Sequence, residues 1–356
     1  MLAHDHGPGR RGSAPRLVRA AASLVVALGV LSCNWISLAE QSLSYPTLTR
    51  GEVGNVAAFD SHFVATAGED GFTVRDAAGA TLATVAPAPG SESVDDIAID
   101  GLLLFALDAR PPGHLTTWSL RDPIHPIVVS RPIEVPVGPF SGVAAAAGSV
   151  IVSGGTSRLT MWSYDGGGMV RGPTATANLG RGQPDVLLAR DGRIAYVSVH
   201  RWGPYFGLDV VPLRPDSQRV LSPLARVDLP GAGFTTGGAR PANFPIESAL
   251  LDDSTLLIAT ARGVVVVRVS DPGHVSVAAT IDVGGPAVNV DANDRRAAVA
   301  VGGGAPAVAL LDFSKDGRPA VRRLPLARGT FPLGIAMARG RIAVAARGQS
   351  VLVLTP

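Results

Sequence analysis

The sequence predicts an all-β protein, and within that class a seven-bladed β-propeller closed by its own N-terminal strand. Three observations carry this. The chain of 356 residues is 46% hydrophobic yet holds 42 Gly and 28 Pro, so its apolar residues fall in short runs cut by turn-formers. One pattern recurs seven times: a small or polar residue, an apolar one, an alternating run, then a turn. The seventh unit is one strand short, and a strand-like segment stands unclaimed ahead of the first.

Composition narrows the function classes. A chain this apolar, with 17% charged residues, buries a large core and is not disordered. Its formal net charge is +2, too small a field to expect nucleic acid as a partner.

The N-terminus reads as a targeting segment. Arg10, Arg11, Arg16 and Arg19 precede an apolar stretch, "AAASLVVALGVLS", residues 20–32, the order of a signal peptide. The only cysteine, Cys33, ends that stretch in "VLSC", residues 30–33. These four residues resemble the lipobox of bacterial lipoproteins. The resemblance implies cleavage before Cys33, acylation of its sulfur and a membrane-anchored product; two or more chains hold stably where one is marginal. Two other readings stay open at this point. "SLA", residues 37–39, is a site for ordinary signal peptidase, which gives a secreted protein, and residues 20–38 are long enough to span as an uncleaved helix. All three place the rest outside the cytoplasm. The expected organisation is a signal peptide at 1–32, a linker at 33–41 and the propeller at 42–356. Without 1–32 the balance is 27 basic residues against 28 acidic, and no internal disulfide is possible.

The recurring column begins at Asn55, Asp96, Gly142, Asp185, Ser248, Asn289 and Gly334. Each is followed by an apolar residue: Val56, Ile97, Val143, Val186, Ala249, Val290 and Ile335. Turn chemistry comes about five residues later, as in Asp60-Ser61, Asp100-Gly101, Asp191-Gly192 and Asn293-Asp294, pairs that tolerate positive φ in tight hairpins. A second run follows ("FVATAG", "LLLFAL", "VIVSGG"), then a third ("GFTVRD", "LTTWSL", "GVVVVR"), then a fourth ("TLATVA", "IVVSRP", "VAATID"). Four short strands in a unit of about 45 residues is the arithmetic of a propeller blade. The column spacings are 41, 46, 43, 63, 41 and 45 residues. After Gly334 only three runs precede Pro356, whereas "SLSYPTLTRGEVG", residues 42–54, precedes the first column as a fourth strand precedes the others. Supplying it to the last blade closes the ring and removes two free edges.

"TTWSLRDPIHPIVVS", 116–130, and "VVVRVSDPGHVSVAAT", 265–280, resemble the LVIVD-type propeller repeat, with Asp122-Pro123 and Asp271-Pro272 at its Asp-Pro turn. "LLDFSKDGRPAVRRL", 310–324, is a looser match, and "ARDGRIAYVSV", 189–199, is similar to the YVTN-type surface repeat. The resemblance implies a bacterial cell-surface or periplasmic propeller, related in architecture to the WD40 type, and no particular reaction.

Candidate chemistry is sparse. There is no G-x-S-x-G, no H-E-x-x-H and no P-loop. His62, His114, His125, His200 and His274 fall on different turns and two different rims, where solvated turn residues are expected. The unit spaced at 63 residues carries two long connections, "HRWGPYFG" at 200–207 and "PGAGFTTGGARPANFP" at 230–245. Both belong to the face that carries the start of the innermost strands. They hold Trp202, Tyr205, Phe206, Phe234 and Phe244, five of 18 aromatics, with Arg201 and Arg240, the side-chain types of binding hot spots. A protein, peptide or glycan partner is the expectation there; loops that pack on each other and merely cover the disc are the alternative. The column residues should ring the channel mouth. Asn55, Asp96, Asp185 and Asn289 offer oxygens for a hard cation such as Ca²⁺, although Gly at two of seven positions leaves the ring incomplete. The expectation is a non-enzymatic, lipid-anchored binding module without a cofactor. The alternative is an extracytoplasmic hydrolase or lyase that uses Asp96, Asp185 and Glu247, with or without a divalent cation.

Overall fold

The computed structural model describes residues 54–138, 141–154, 158–179, 183–200, 206–214, 218–229, 247–293, 295–314, 318–346 and 351–356. The chain divides into two compact units, Met1–Ser44 and Tyr45–Pro356, and every described residue lies in the second. All described regular structure is β. It forms seven antiparallel sheets in sequence order, five of four strands, one of five and one of three. Each is one blade of a seven-bladed β-propeller.

The innermost strands are Val56–Phe59, Asp96–Asp100, Gly142–Ala146, Gln183–Leu188, Ser248–Asp252, Ala287–Asn293 and Pro332–Ala338. All seven predicted columns therefore start or enter an inner strand. The hairpin turns that follow use the expected backbone. Asp60, Gly101, Gly192 and Gly340 sit at φ of 47°, 60°, 65° and 76°, the left-handed region that Gly and Asp tolerate. In blade 6 the inner strand runs on through Asn293, and Arg295 sits at φ of 64°.

The apolar runs are nearly continuous because blade strands are buried on both faces. In the second strand of blade 2, Leu104 and Ala106 pack toward blade 1, whereas Phe105 and Leu107 pack toward blade 3. The same alternation around the ring gives seven core clusters, one between each pair of neighbouring blades. The cluster that joins blades 7 and 1 contains Val56, Phe63 and Ala65 with Ala336, Ala343 and Val351, so the ring closes through a core of its own. Phe63, Phe72 and Phe105 are fully buried, and truncating any one to Ala is worth about 3–5 kcal/mol.

The segment 42–53, expected to complete blade 7, lies outside the described residues, and blade 7 shows three described strands. The fourth strand of blade 2, expected as one run, is two short pieces, Ile127–Val128 and Ile133–Glu134, both on the same partner strand. Pro126 and Pro132 flank the first piece and donate no N–H. Between the pieces, Ser130 Oγ accepts the Thr117 N–H where a backbone carbonyl would have done so.

The Asp-Pro turns fold alike in blades 2 and 5. Asp122 Oδ1 accepts the Ile124 N–H and its Oδ2 meets His125 Nδ1 at 2.9 Å; Asp271 Oδ1 accepts the Gly273 N–H and its Oδ2 meets His274 Nδ1 at 2.8 Å. The histidine partner holds both carboxyls below the usual range. His125 and His274 are thus exposed turn residues engaged locally, as expected.

Candidate binding site at the channel mouth

The inner strands enclose a cavity of about 380 Å³ along the propeller axis. Its wall includes Asn55, Asp96, Asp185, Glu247, Ser248 and Asn289, with Asp291 one strand step deeper. Among the described residues no Lys, Arg or His lines it.

One arc of the mouth is internally satisfied. Thr66 Oγ1 accepts the N–H groups of Gly54 and Asn55, and Ser153 Oγ accepts that of Gly142. Each second strand thereby caps the start of the strand inside it. Asn55 Oδ1 accepts the Val56 N–H at 2.8 Å, and its amide nitrogen donates to Asp96 Oδ1 at 2.7 Å. The other Asp96 oxygen accepts the Val143 N–H of the next blade at 2.8 Å. Asn55 and Asp96 therefore stitch blades 1, 2 and 3 together. Asp291 does the same between blades 6 and 7, with Oδ2 accepting the Met337 N–H at 2.7 Å and Oδ1 the Ala292 N–H at 2.8 Å.

The two column glycines now have a reason. A Cβ at Gly334 would lie 3.0 Å from Asn55 Oδ1 and 3.0 Å from the Val56 nitrogen. A Cβ at Gly142 would lie 3.4 Å from Asp96 Oδ2 and 3.8 Å from Asp185 Oδ1. The apparent gaps in the ring are the spaces that neighbouring polar side chains fill, and Asp96 and Asp185 converge on the one at Gly142.

Burial pushes the Asp96 carboxyl up. Burial, and then the charge of Asp96, push Asp185 up to about 7. Burial alone pushes Asp291 up to about 6 against its two backbone donors. All three hold a proton more tightly than a solvated carboxyl does, and a bound cation would favour its release.

The other arc, on blades 4, 5 and 6, is only partly satisfied from within: the Asp185 carboxyl accepts the Val186 N–H. Ser248 Oγ is buried without a hydrogen-bond partner among the described residues. Asn289 is only 5% exposed, lines the cavity, and its amide has no described partner. Glu247 lines the cavity and is engaged elsewhere as well. Asp95, its counterpart in blade 2, turns away from the channel, with Oδ2 accepting the Ser93 hydroxyl and the Ala109 N–H.

Among the described residues no group of three or more His, Cys, Asp or Glu side chains is arranged to hold a metal ion. Of the expected cation ligands, Asn55 gives an amide N–H to Asp96. Of the loop residues expected to bind a partner, Arg201, Trp202, Tyr205, Phe234, Arg240 and Phe244 lie outside the described residues. Phe206 opens the third strand of blade 4, and its side chain is likewise outside. The lipidation candidate Cys33 lies outside too. Among the described residues no helix is long and apolar enough to cross a membrane.

Two groups escaped the sequence reading. Asp291 stands at the third position of its column, where the other six units carry Ala57, Ala98, Ala144, Leu187, Leu250 and Ala336; aligning the repeats one step further would have exposed it. Asp209, fully buried in the third strand of blade 4, takes two bonds from Arg226, at 2.6 and 2.7 Å. The two are cross-strand partners in register, and the signal was an acid inside an apolar run.

No family model matches the chain, and no curated protein matches it. Solved structures do. A chain of the Mitotic Checkpoint Complex is similar with a TM-score of 0.61 and 11% identity, covering 88% of this chain and 93% of that one. A protein from Lactobacillus plantarum gives 0.54 and 14%, covering 76% and 88%. The computationally designed Ika8 protein gives 0.52 and 10%, covering 86% and 84%. At these identities the likeness is one of fold alone.

Proposed function

We propose that the protein is an extracytoplasmic, lipid-anchored propeller that acts as a non-enzymatic binding module, meeting a protein, peptide or glycan with the channel-mouth face of blades 4 and 5. The observation that carries this is which strand ends of blades 4 and 5 adjoin the channel mouth. The second strand of blade 4 ends at His200, paired with Gln183, and the third starts at Phe206. The outer strand of that blade ends at Asp228, and blade 5 begins at Ser248 on the cavity wall. Both long connections therefore leave from the face that carries the partly satisfied arc. The matching Asp-Pro turns of blades 2 and 5 support a repeat of the LVIVD type, and the run at 30–33 supports a lipid on Cys33.

The test is capture from the producing cell's envelope with full-length protein and its Trp202→Ala, Tyr205→Ala double variant. A species held by the wild type should be lost from the variant; equal recovery discards the loop face. Palmitate labelling of wild type and Cys33→Ala tests the anchor, and label retained by the variant discards it.

One observation favours the second reading, a hydrolase or lyase: Asp185 is held near neutrality beside Asp96, as an acid–base group would be. Against it, both Asp96 oxygens already accept N–H groups. Loss of a measured hydrolytic or lyase activity in Asp185→Asn would favour the enzyme.

A further inference from the structure

The partly satisfied arc points to a ligand of definite chemistry. Among the described residues four acidic side chains, Asp96, Asp185, Glu247 and Asp291, line the cavity and no basic one does. Asn289, only 5% exposed, presents an amide with no described partner, and the Ser248 hydroxyl beside it is buried and equally unpartnered. A buried polar group without a hydrogen bond is unfavourable until a ligand supplies one.

We propose that the channel mouth of blades 4, 5 and 6 binds an aliphatic primary ammonium group, received by the Asp185 carboxylate, the Ser248 hydroxyl and the Asn289 amide oxygen. An ammonium group has three N–H donors and no acceptor, and the arc offers three separate oxygens on three blades. A guanidinium fork would instead seek both oxygens of one carboxylate. A calcium ion needs six to eight oxygens about it, and Asp96 is already committed to Asn55 and Val143. Burial and the charge of Asp96 raise the affinity of Asp185 for its proton, and an arriving cation would take the place of that proton. The alkyl part has a wall to lie against: Ala57, Ala98, Ala144 and Ala336 line the cavity, whose volume of about 380 Å³ admits a small molecule or one inserted side chain.

The site deepens the binding reading without depending on the long loops. The ammonium group has two sources, a free amine or a lysine side chain of a partner, and the test separates them. Full-length protein is titrated calorimetrically with 1,4-diaminobutane and with a blocked Ala-Lys-Ala peptide. Saturable one-to-one binding of the diamine alone assigns a free amine; tighter binding of the peptide assigns a lysine side chain; both support the site. Asp185→Asn should weaken binding about tenfold or more, and Asn289→Ala about fivefold. Asn289→Ala should melt no lower than wild type, because the amide it removes has no described partner. Binding that survives Asn289→Ala unchanged, absence of heat with both probes at about 10 mM, or tighter binding of calcium chloride than of either amine would overturn the proposal. Trp202→Ala, Tyr205→Ala should leave diamine binding intact, so failure of the loop face and failure of this site read differently.

Discussion

Replacing Asp291 by Asn should flatten the pH dependence of the protein's stability. The carboxyl is pushed up to about 6 in the folded chain by burial, against about 3.9 in an unfolded one. Folded protein thus holds the proton more tightly than unfolded chain. The contribution to stability is fully present below about pH 4 and is lost as pH rises through 6. The displacement of about two units corresponds to roughly 3 kcal/mol. The amide of the Asp291→Asn variant carries no proton to lose. It keeps one acceptor for the Met337 N–H and gives up the second, which costs about 1 kcal/mol at every pH. Asp96 and Asp185 titrate in the same direction in both proteins and cancel from the difference. Melting curves at pH 4.5 and pH 8 test this. About 2 kcal/mol of that contribution falls between the two pH values, so on a domain of this size the variant should gain roughly 3 °C relative to wild type. Parallel melting temperatures would refute the reasoning, for they would mean that Asp291 is solvated as freely in the channel as in the unfolded chain.

Other substitutions test the fold's polar joints. Arg226→Ala leaves Asp209 buried without its guanidinium and should destabilise by about 3 kcal/mol, with Asp209→Asn recovering part of the loss in thermal melts. Gly334→Ala forces a Cβ to 3.0 Å from backbone and should cost about 1–3 kcal/mol, clearly more than Gly142→Ala, whose Cβ meets nothing nearer than 3.4 Å; equal melting temperatures would contradict that geometry. Thr66→Val removes the acceptor shared by the Gly54 and Asn55 N–H groups and should lower stability by about 1–2 kcal/mol, measurable by denaturant titration.

The period was legible because it is a local property repeated seven times. A turn pair such as Asp191-Gly192 must follow an inner strand wherever that strand occurs, and alternating burial between two neighbouring blades makes every second and third strand apolar. What was not legible is pairwise. Gly142 and Gly334 look like omissions from the column until Asp96, Asp185 and Asn55 are seen to occupy their space. Asp96 and Asp185, separated by a whole blade in the chain, meet only because Gly142 lies between them. Asp291 and Met337 are joined by a bond across blades 6 and 7 that no spacing rule announces. The Asp-Pro turns, by contrast, were readable as local turns, since Asp122 and Asp271 accept N–H groups two residues on, although their bonds to His125 and His274 were not.

The central claim is that the acidic channel mouth is a receptor for an ammonium group. Crystals grown with saturating 1,4-diaminobutane test it most directly. The account predicts ligand density at the mouth, with one nitrogen within hydrogen-bond distance of Asp185, Ser248 and Asn289 and the alkyl chain against the alanine wall. A mouth without ligand density, or an ion ligated there by oxygens alone, would contradict it.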